Sequence, residues 1–267
     1  MRATVKALFV AAICLPAWPL QAADGVLIVE KTTAAGKTET NQVQIEKNRM
    51  RAEIIAPNGE KQAIVFDGAK EVLWIVNADR KTYTEMTKAD VDRLGGQMST
   101  LMAQMQEQLK NMPPEQRAQV EAMMKGRGMP GAGGAPAKTE YRKTGTATVG
   151  KWTCDKYDGH RNNQKTSEVC TVDPKALGLA LADFDVTKHL AAFFAKLAPQ
   201  NADRVFAIGS PEDQGFSGVP VRRVTFNGQQ QTVTELTEVS RQTFAASTFA
   251  IPAGYQKEAF GSGRGRQ

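Results

Sequence analysis

The chain has 267 residues, 41% of them hydrophobic and 23% charged, with a formal net charge of +6. This composition is ordinary for a globular protein and gives room for one large domain or two small ones. The positive charge is too mild and too dispersed to indicate a nucleic-acid-binding protein.

Residues 1–23 read as an export signal. Arg2 and Lys6 precede the apolar run Ala7–Leu15, and the segment closes on Ala22-Ala23. That run is far below the ~20 residues of a spanning helix, Pro16 and Pro19 break the stretch after it, and no later run is long enough to span. A cleaved signal and a periplasmic or secreted mature chain without a transmembrane span are therefore expected. Cleavage removes Arg2 and Lys6, which lowers the net charge to +4, and removes Cys14, which leaves Cys154 and Cys170 as a pair in an oxidising compartment.

From Gly25 to Met86, short β-branched and aromatic runs alternate with turn residues. The runs are Val26–Thr33, Thr38–Glu46, Met50–Ile55, Gln62–Phe66, Val72–Val76 and Thr82–Met86. Connections this short join antiparallel neighbours, so a six-strand meander is predicted. In the second strand Val43 and Ile45 alternate with Gln42, Gln44 and Glu46, so one side meets water. In the fifth, Val72, Trp74 and Val76 oppose Leu73 and Ile75, so both faces are apolar and need cover. The helical segments are the candidates for that cover.

Residues 87–125 change to a helical period. Thr87 is an N-cap with Asp90 three residues on, and Met98, Leu101, Met102, Met105, Leu109 and Met112 lie on one stripe. Pro113-Pro114 restarts a second helix carrying Val120, Met123 and Met124. The segment reads as a helical-hairpin insertion, followed by a Gly/Pro/Ala linker over 126–137. Thioethers at such spacing suit Cu(I), but Leu101 and Leu109 share the stripe. An adaptable apolar face is the preferred reading, and no metal or cofactor is expected.

Residues 140–172 return to β. Opposed positions summing to 324 pair Lys156 with Glu168 and Trp152 with Val172, leave Arg161-Asn162-Asn163 as a three-residue turn, and bring Cys154 and Cys170 onto one face as a cross-strand disulfide. Asp173-Pro174 then carries the signature of a helix start. Leu177, Leu181 and Phe184 form a first apolar side, and Val186, Leu190, Phe193, Phe194 and Leu197 form a second. His189 is expected as a partly buried packing residue on that second side, and His160 as a solvated one beside the hairpin turn. Val219–Phe226 and Gln229–Arg241 flank Asn227-Gly228, a strong hairpin signal. The domain is expected to run over 24–260, with 261–267 as a solvated, disordered tail.

Four stretches carry a family resemblance: Asn48-Arg49-Met50-Arg51-Ala52-Glu53, Phe66-Asp67-Gly68, Asn77 through Lys81-Thr82-Tyr83, and Phe249 to Tyr255. With them the chain resembles the bacterial family of exported proteins called domain of unknown function 4412, which is itself similar to the half-barrel carriers and sensors of periplasmic lipoproteins. The resemblance implies a mainly β (α+β) fold, in which helices cover a curved antiparallel sheet or half-barrel that holds acyl chains in the carrier members. It implies no catalytic residues.

The residues agree with that silence. Neither His160 nor His189 sits in a nucleophile-elbow sequence, no GxxxxGK phosphate loop is present, and the glycines of 126–134 follow no strand. The expectation is a non-enzymatic protein that binds an apolar ligand, either a lipid or a lipidated envelope protein. The alternative is an interaction protein that docks a partner through its Met-rich hairpin. The expected contacts are Met98, Leu101, Met102, Met105, Leu109, Met123 and Met124, joined by Phe193 and Phe194. The cysteine count generates a first prediction: intact mass after alkylation without reductant should show a mature chain beginning near Ala23 or Asp24 with no alkylated thiol. Modification at Cys154 or Cys170 would exclude the disulfide.

Overall fold

The computed structural model describes residues 24–55, 59–126, 139–195, 197 and 215–260, with the side chains of 121–126 outside the description. The expected signal, the linker beyond Gly126 and the tail lie outside the described residues.

The first six strands are β1 (Gly25–Ala34), β2 (Lys37–Ile45), β3 (Arg49–Ile55), β4 (Lys61–Asp67), β5 (Val72–Asn77) and β6 (Thr82–Thr87). They form the predicted meander, each end within a residue or two of its sequence boundary. Two helices come next, α1 (Lys88–Lys110) and α2 (Pro114–Gly126). After them the chain forms β7 (Glu140–Val149), β8 (Trp152–Arg161), β9 (Gln164–Val172), α3 (Asp185–Phe194), β10 (Val219–Asn227), β11 (Gln230–Gln242) and β12 (Gln256–Glu258). All twelve strands join one curved open sheet in the order β12-β6-β5-β4-β3-β2-β1-β11-β10-β9-β8-β7. Every neighbouring pair is antiparallel except β12, which lies parallel to β6. Bulges at Val29/Glu30, Lys143/Gly145, Gly159/His160 and Pro220/Arg222 bend the strands. A twisted sheet of this width curls rather than staying flat.

The two apolar faces of β5 are covered from different parts of the chain. Leu73 and Ile75 join a large core with Val26, Ile45, Met50, Phe66 and the buried residues of α3: Val186, Leu190 and Phe193. On the opposite face Val76, with Trp74 beside it, packs with Ala63, Val65 and Phe249, under Phe244, Ile251 and Tyr255. The C-terminal segment, with Phe249 on the 3-10 turn Ala246–Phe249, therefore supplies the second cover in place of a longer helix. It leaves β11 at the middle of the sheet and crosses to the far edge. Arg49 lies 4.8 Å from the centre of the Phe249 ring, and Arg51 donates to the Thr248 carbonyl at 3.5 Å. Lys257 and the Trp74 indole N–H both donate to Glu85, at 2.6 and 3.0 Å. Gly25 lacks a side chain for a steric reason, since a Cβ there would sit 2.5 Å from the Phe244 ring.

The β8–β9 hairpin corrects the sequence register. Asn162 and Asn163 both take positive φ, 51° and 61°, and close a two-residue turn of the I′ kind where three residues were expected. The bulge at Gly159/His160 adds a second one-residue shift, so Lys156 faces Cys170 and Glu168 faces Asp158. The Cys154–Cys170 disulfide forms nonetheless, as a diagonal pair with Cα atoms 5.4 Å apart, because positions two residues away share a face. Lys156 still reaches Glu168, at 3.7 Å. The Asp173-Pro174 start also shortens. It opens a single 3-10 turn, Pro174–Leu177, that Gly178 ends in the left-handed region, and a second such turn spans Leu181–Phe184.

Glu30, on β1, is a half-buried carboxyl that the fold tolerates at a cost. Burial raises its pKa, and the Arg223 cation lowers it by less. A raised acid pKa means that the unfolded chain ionises first, so stability falls as pH rises above 4.5. Glu30→Gln should therefore raise the denaturation midpoint at pH 7 and lose that advantage below pH 4.5. Matched urea titrations at the two pH values check it.

Candidate functional site

Helix α1 begins where β6 ends, and its start is tightly specified. Asp90 N–H donates to the Thr87 hydroxyl at 3.3 Å, while the Thr87 N–H and hydroxyl donate to the Asp90 carboxylate at 3.1 and 2.7 Å. This capping box satisfies backbone groups at both ends of the motif. Hydrogen bonds from Thr87 and from Arg93 hold the Asp90 carboxyl down at about 2. One turn in, Val91 is 2% exposed and belongs to the main core.

A cleft of about 350 Å³ opens at this root. Phe66, Val91 and Phe193 give it an apolar lining, and Phe66 and Phe193 meet edge-to-face with centroids 5.4 Å apart. Its polar lining comes from His189, Asp92 and the Glu71–Lys88 ion pair, closed at 2.9 Å. Gly68 completes the wall. Its N–H donates to the Asn48 carbonyl at 2.7 Å, and a Cβ there would stand 3.2 Å from His189 Nδ1. A smaller cavity of about 100 Å³ lies beside Cys170, Val149 and the Lys156–Glu168 pair.

Beyond the cleft α1 continues for a length of about 34 Å in all, at 1.5 Å per residue. Gly95-Gly96 does not interrupt it, although each glycine costs a helix about 1 kcal/mol relative to alanine. The apolar stripe starts at Val91 in the cleft and runs outward through half-buried Leu94. Met98 is 52% and Leu101 60% exposed, while Met102 and Met105 are half-buried. Leu109 is buried again at the corner between the helices without joining either core cluster. That corner is held by Arg117, which donates to the carbonyls of Leu109, Lys110 and Met112 at 2.8, 2.8 and 3.2 Å. Leu109 and Lys110 end α1, where the helix leaves carbonyls without intrahelical partners, and Met112 lies just beyond it. No local pattern around Arg117 announced this role.

The expected contact residues thus divide. Phe193 lines the cleft as a core residue, and Phe194 packs half-buried against it with centroids 5.5 Å apart. Met98, Leu101, Met102 and Met105 stand outside on α1, and the side chains of Met123 and Met124 lie outside the described residues. Both histidines depart from expectation. His189 is exposed on the cleft, because the buried side of α3 falls on Val186, Leu190 and Phe193. His160 is half-buried beside the bulge, with Nδ1 enclosed and unpaired among the described residues. The cleft itself is assembled from segments 66–71, 88–92 and 189–193, which no sequence motif links.

Residues 88–255 match the family model described as Domain of unknown function (DUF4412). This range includes only the last of the four stretches that carried the resemblance. No curated protein matches the chain. Among solved structures the chain is similar to an uncharacterized conserved protein from Thermus thermophilus, with 9% identity over 89% of this chain and 91% of that one, TM-score 0.45. It is also similar to PNGF-II, with 11% identity over 88% of this chain and 30% of that one, TM-score 0.34. A DUF1329 family protein from Desulfovibrio piger aligns at 7% identity over 86% of this chain and 91% of that one, TM-score 0.22. Likeness at this level transfers neither a ligand nor an activity.

The root of α1 carries its own test. Thr87→Ala should cost about 1 kcal/mol, the usual value of a lost N-cap. Since folding lowers the Asp90 pKa from 3.8 to about 2, the stability it adds is complete above 3.8 and is lost as pH falls toward 2. Helical circular dichroism should therefore decline over that interval in the parent protein and respond less in Thr87→Ala.

Proposed function

The chain belongs to the DUF4412 family, and we propose that it is a non-enzymatic exported protein that holds an apolar ligand against α1 and the cleft at its root. The class we infer is an acyl chain, presented by a lipid or a lipidated envelope protein.

One observation carries the reading. The apolar stripe of α1 is continuous from the cleft outward, yet its middle is bare, with Met98 and Leu101 more than half exposed. Scattered apolar residues at a surface need no account, but a contiguous strip that leads into a cleft indicates binding. The cleft volume of about 350 Å³ lies at the low end of small-molecule sites. It fits the end of one chain, with the remainder lying along the helix. Methionine suits this use because its unbranched thioether adapts to irregular shapes.

The export reading draws support from the disulfide and from the signal-like start. Among the described residues no helix is long and apolar enough to cross a membrane. The half-barrel description belongs with this proposal, since a curved sheet with one helix-covered face is what the carrier resemblance implies. The alternative, a partner protein docked on the same stripe, draws on the exposed methionines but leaves the cleft without a use.

Met98→Glu with Leu101→Glu tests the proposal at exposed positions, where substitutions usually change stability by less than about 0.5 kcal/mol. The double variant should keep its denaturation midpoint and lose binding of a hydrophobic fluorescent probe, together with any lipid that native mass spectrometry finds co-purifying. Phe193→Ala should differ by costing about 3–5 kcal/mol of stability. Undiminished probe and lipid binding by the double variant would remove α1 from the site.

A further inference from the structure

The chain uses methionine in two ways. Met50 and Met86 are 0% and 5% exposed and belong to the main core. Met98, Met102 and Met105 belong to neither apolar cluster and are reachable from solvent. Leucine would serve a merely apolar face as well, with helix propensity at least equal. A thioether differs from it in one reaction open at the surface of a folded protein, oxidation to the sulfoxide.

Two features direct an oxidant to these sulfurs. Both cysteines of the described residues are closed in the disulfide, so no thiol among those residues competes for it, and a disulfide belongs to an oxidising compartment. Access is the second feature, since the three sulfurs of α1 meet solvent while Met50 and Met86 lie inside. Each sulfur reacts by itself, so the three need not converge. The oxidant is a peroxide. The thioether sulfur attacks one peroxide oxygen, and an S–O bond forms as the O–O bond breaks. The departing hydroxide then takes the proton from the new S–OH group, which leaves a sulfoxide and water. Sulfur loses two electrons and the peroxide gains them.

The surroundings make this change consequential. Residues 94–106 include no charged side chain, so the character of the outer stripe is set by Met98, Leu101, Met102 and Met105. Oxidation turns a flexible apolar side chain into a polar, chiral one. Three sulfoxides leave Leu101 as the unaltered member of that set, and a ligand lying over them would bury polar S–O groups at a cost in free energy. We propose that Met98, Met102 and Met105 form a reversible oxidation site, through which a peroxide turns off the apolar face of α1 and sulfoxide reduction restores it. What the switch releases rests on the acyl-chain reading; where it acts rests on the exposure of the sulfurs.

The full-length protein should be treated with graded hydrogen peroxide and mapped by peptide mass spectrometry. Met98, Met102 and Met105 should oxidise while Met50 and Met86 stay reduced. Retention on a hydrophobic-interaction column should shorten in step, and affinity for a hydrophobic fluorescent probe should fall about tenfold. Both should return after treatment with the two reductases that serve the sulfoxide epimers. The triple variant Met98→Leu, Met102→Leu, Met105→Leu retains the apolar face. Taken through the same steps it should keep its retention, its probe binding and its far-UV circular dichroism, which controls for every other methionine and for the disulfide. Oxidation of Met50 or Met86 ahead of the three, unchanged retention, probe binding that survives oxidation, or an equal loss in the triple variant overturns the oxidation site. A parent that binds no probe before oxidation overturns the acyl-chain reading alone, and the mapping and retention arms still decide the oxidation site.

Discussion

The pairing of β1 with β11 makes one sheet out of two meanders. It runs from Gly25 opposite Gln242 to Ala34 opposite Thr232, while the other edge of β1 pairs with β2 from Val26 to Ala34. Without this ladder, β1 and β11 would each present an open row of backbone donors and acceptors. With it, the apolar residues of β1–β6 and those of β8–β11 become one continuous core under α3. The same ladder fixes where β11 ends, and so where the C-terminal segment departs across the opposite face. The cation–ring contact of Arg49 with Phe249 and the short β12 strand beside β6 both depend on that departure point.

Because each face of β5 has its own cover, α1 is not needed to close the core beyond its first turn. Val91 contributes to the main cluster, and the capping box holds the helix at that end. The remainder carries exposed apolar side chains, Met98 and Leu101 among them. The glycine pair Gly95-Gly96 weakens the helix just where it leaves the body, and Arg117 strengthens it at the far corner. The outer part of α1 is thereby firm in itself and lightly joined to the sheet. Such a distribution suits a surface that meets other molecules.

The strands were legible because their boundaries rest on strong local punctuation. Ala35-Gly36, both at positive φ, and Asn162-Asn163 are examples. The capping box of Thr87 and Asp90 was legible for the same reason, since both partners lie within one turn. The hairpin register was not, because Gly159, the in-strand glycine at the bulge, signals an irregularity without fixing the size of the shift, and a two-residue Asn-Asn turn reads much like a three-residue one. Nothing local encodes the β1–β11 ladder, whose residues are about two hundred positions apart. The cover over Trp74 was missed because Phe244, Phe249, Ile251 and Tyr255 follow no period. The cleft was invisible because its walls come from a turn, a helix start and a second helix. Its polar member His189 looked like packing until the buried side of α3 was known.

The central position of β1 also bears on how such a chain reaches its native state. The first strand finds its second partner only once residues beyond 230 are available. Contacts of this sequence separation close late and make folding slow. The sheet is therefore completed only when nearly all of the described strands are present, and the β1–β11 ladder acts as a latch that its own topology closes last.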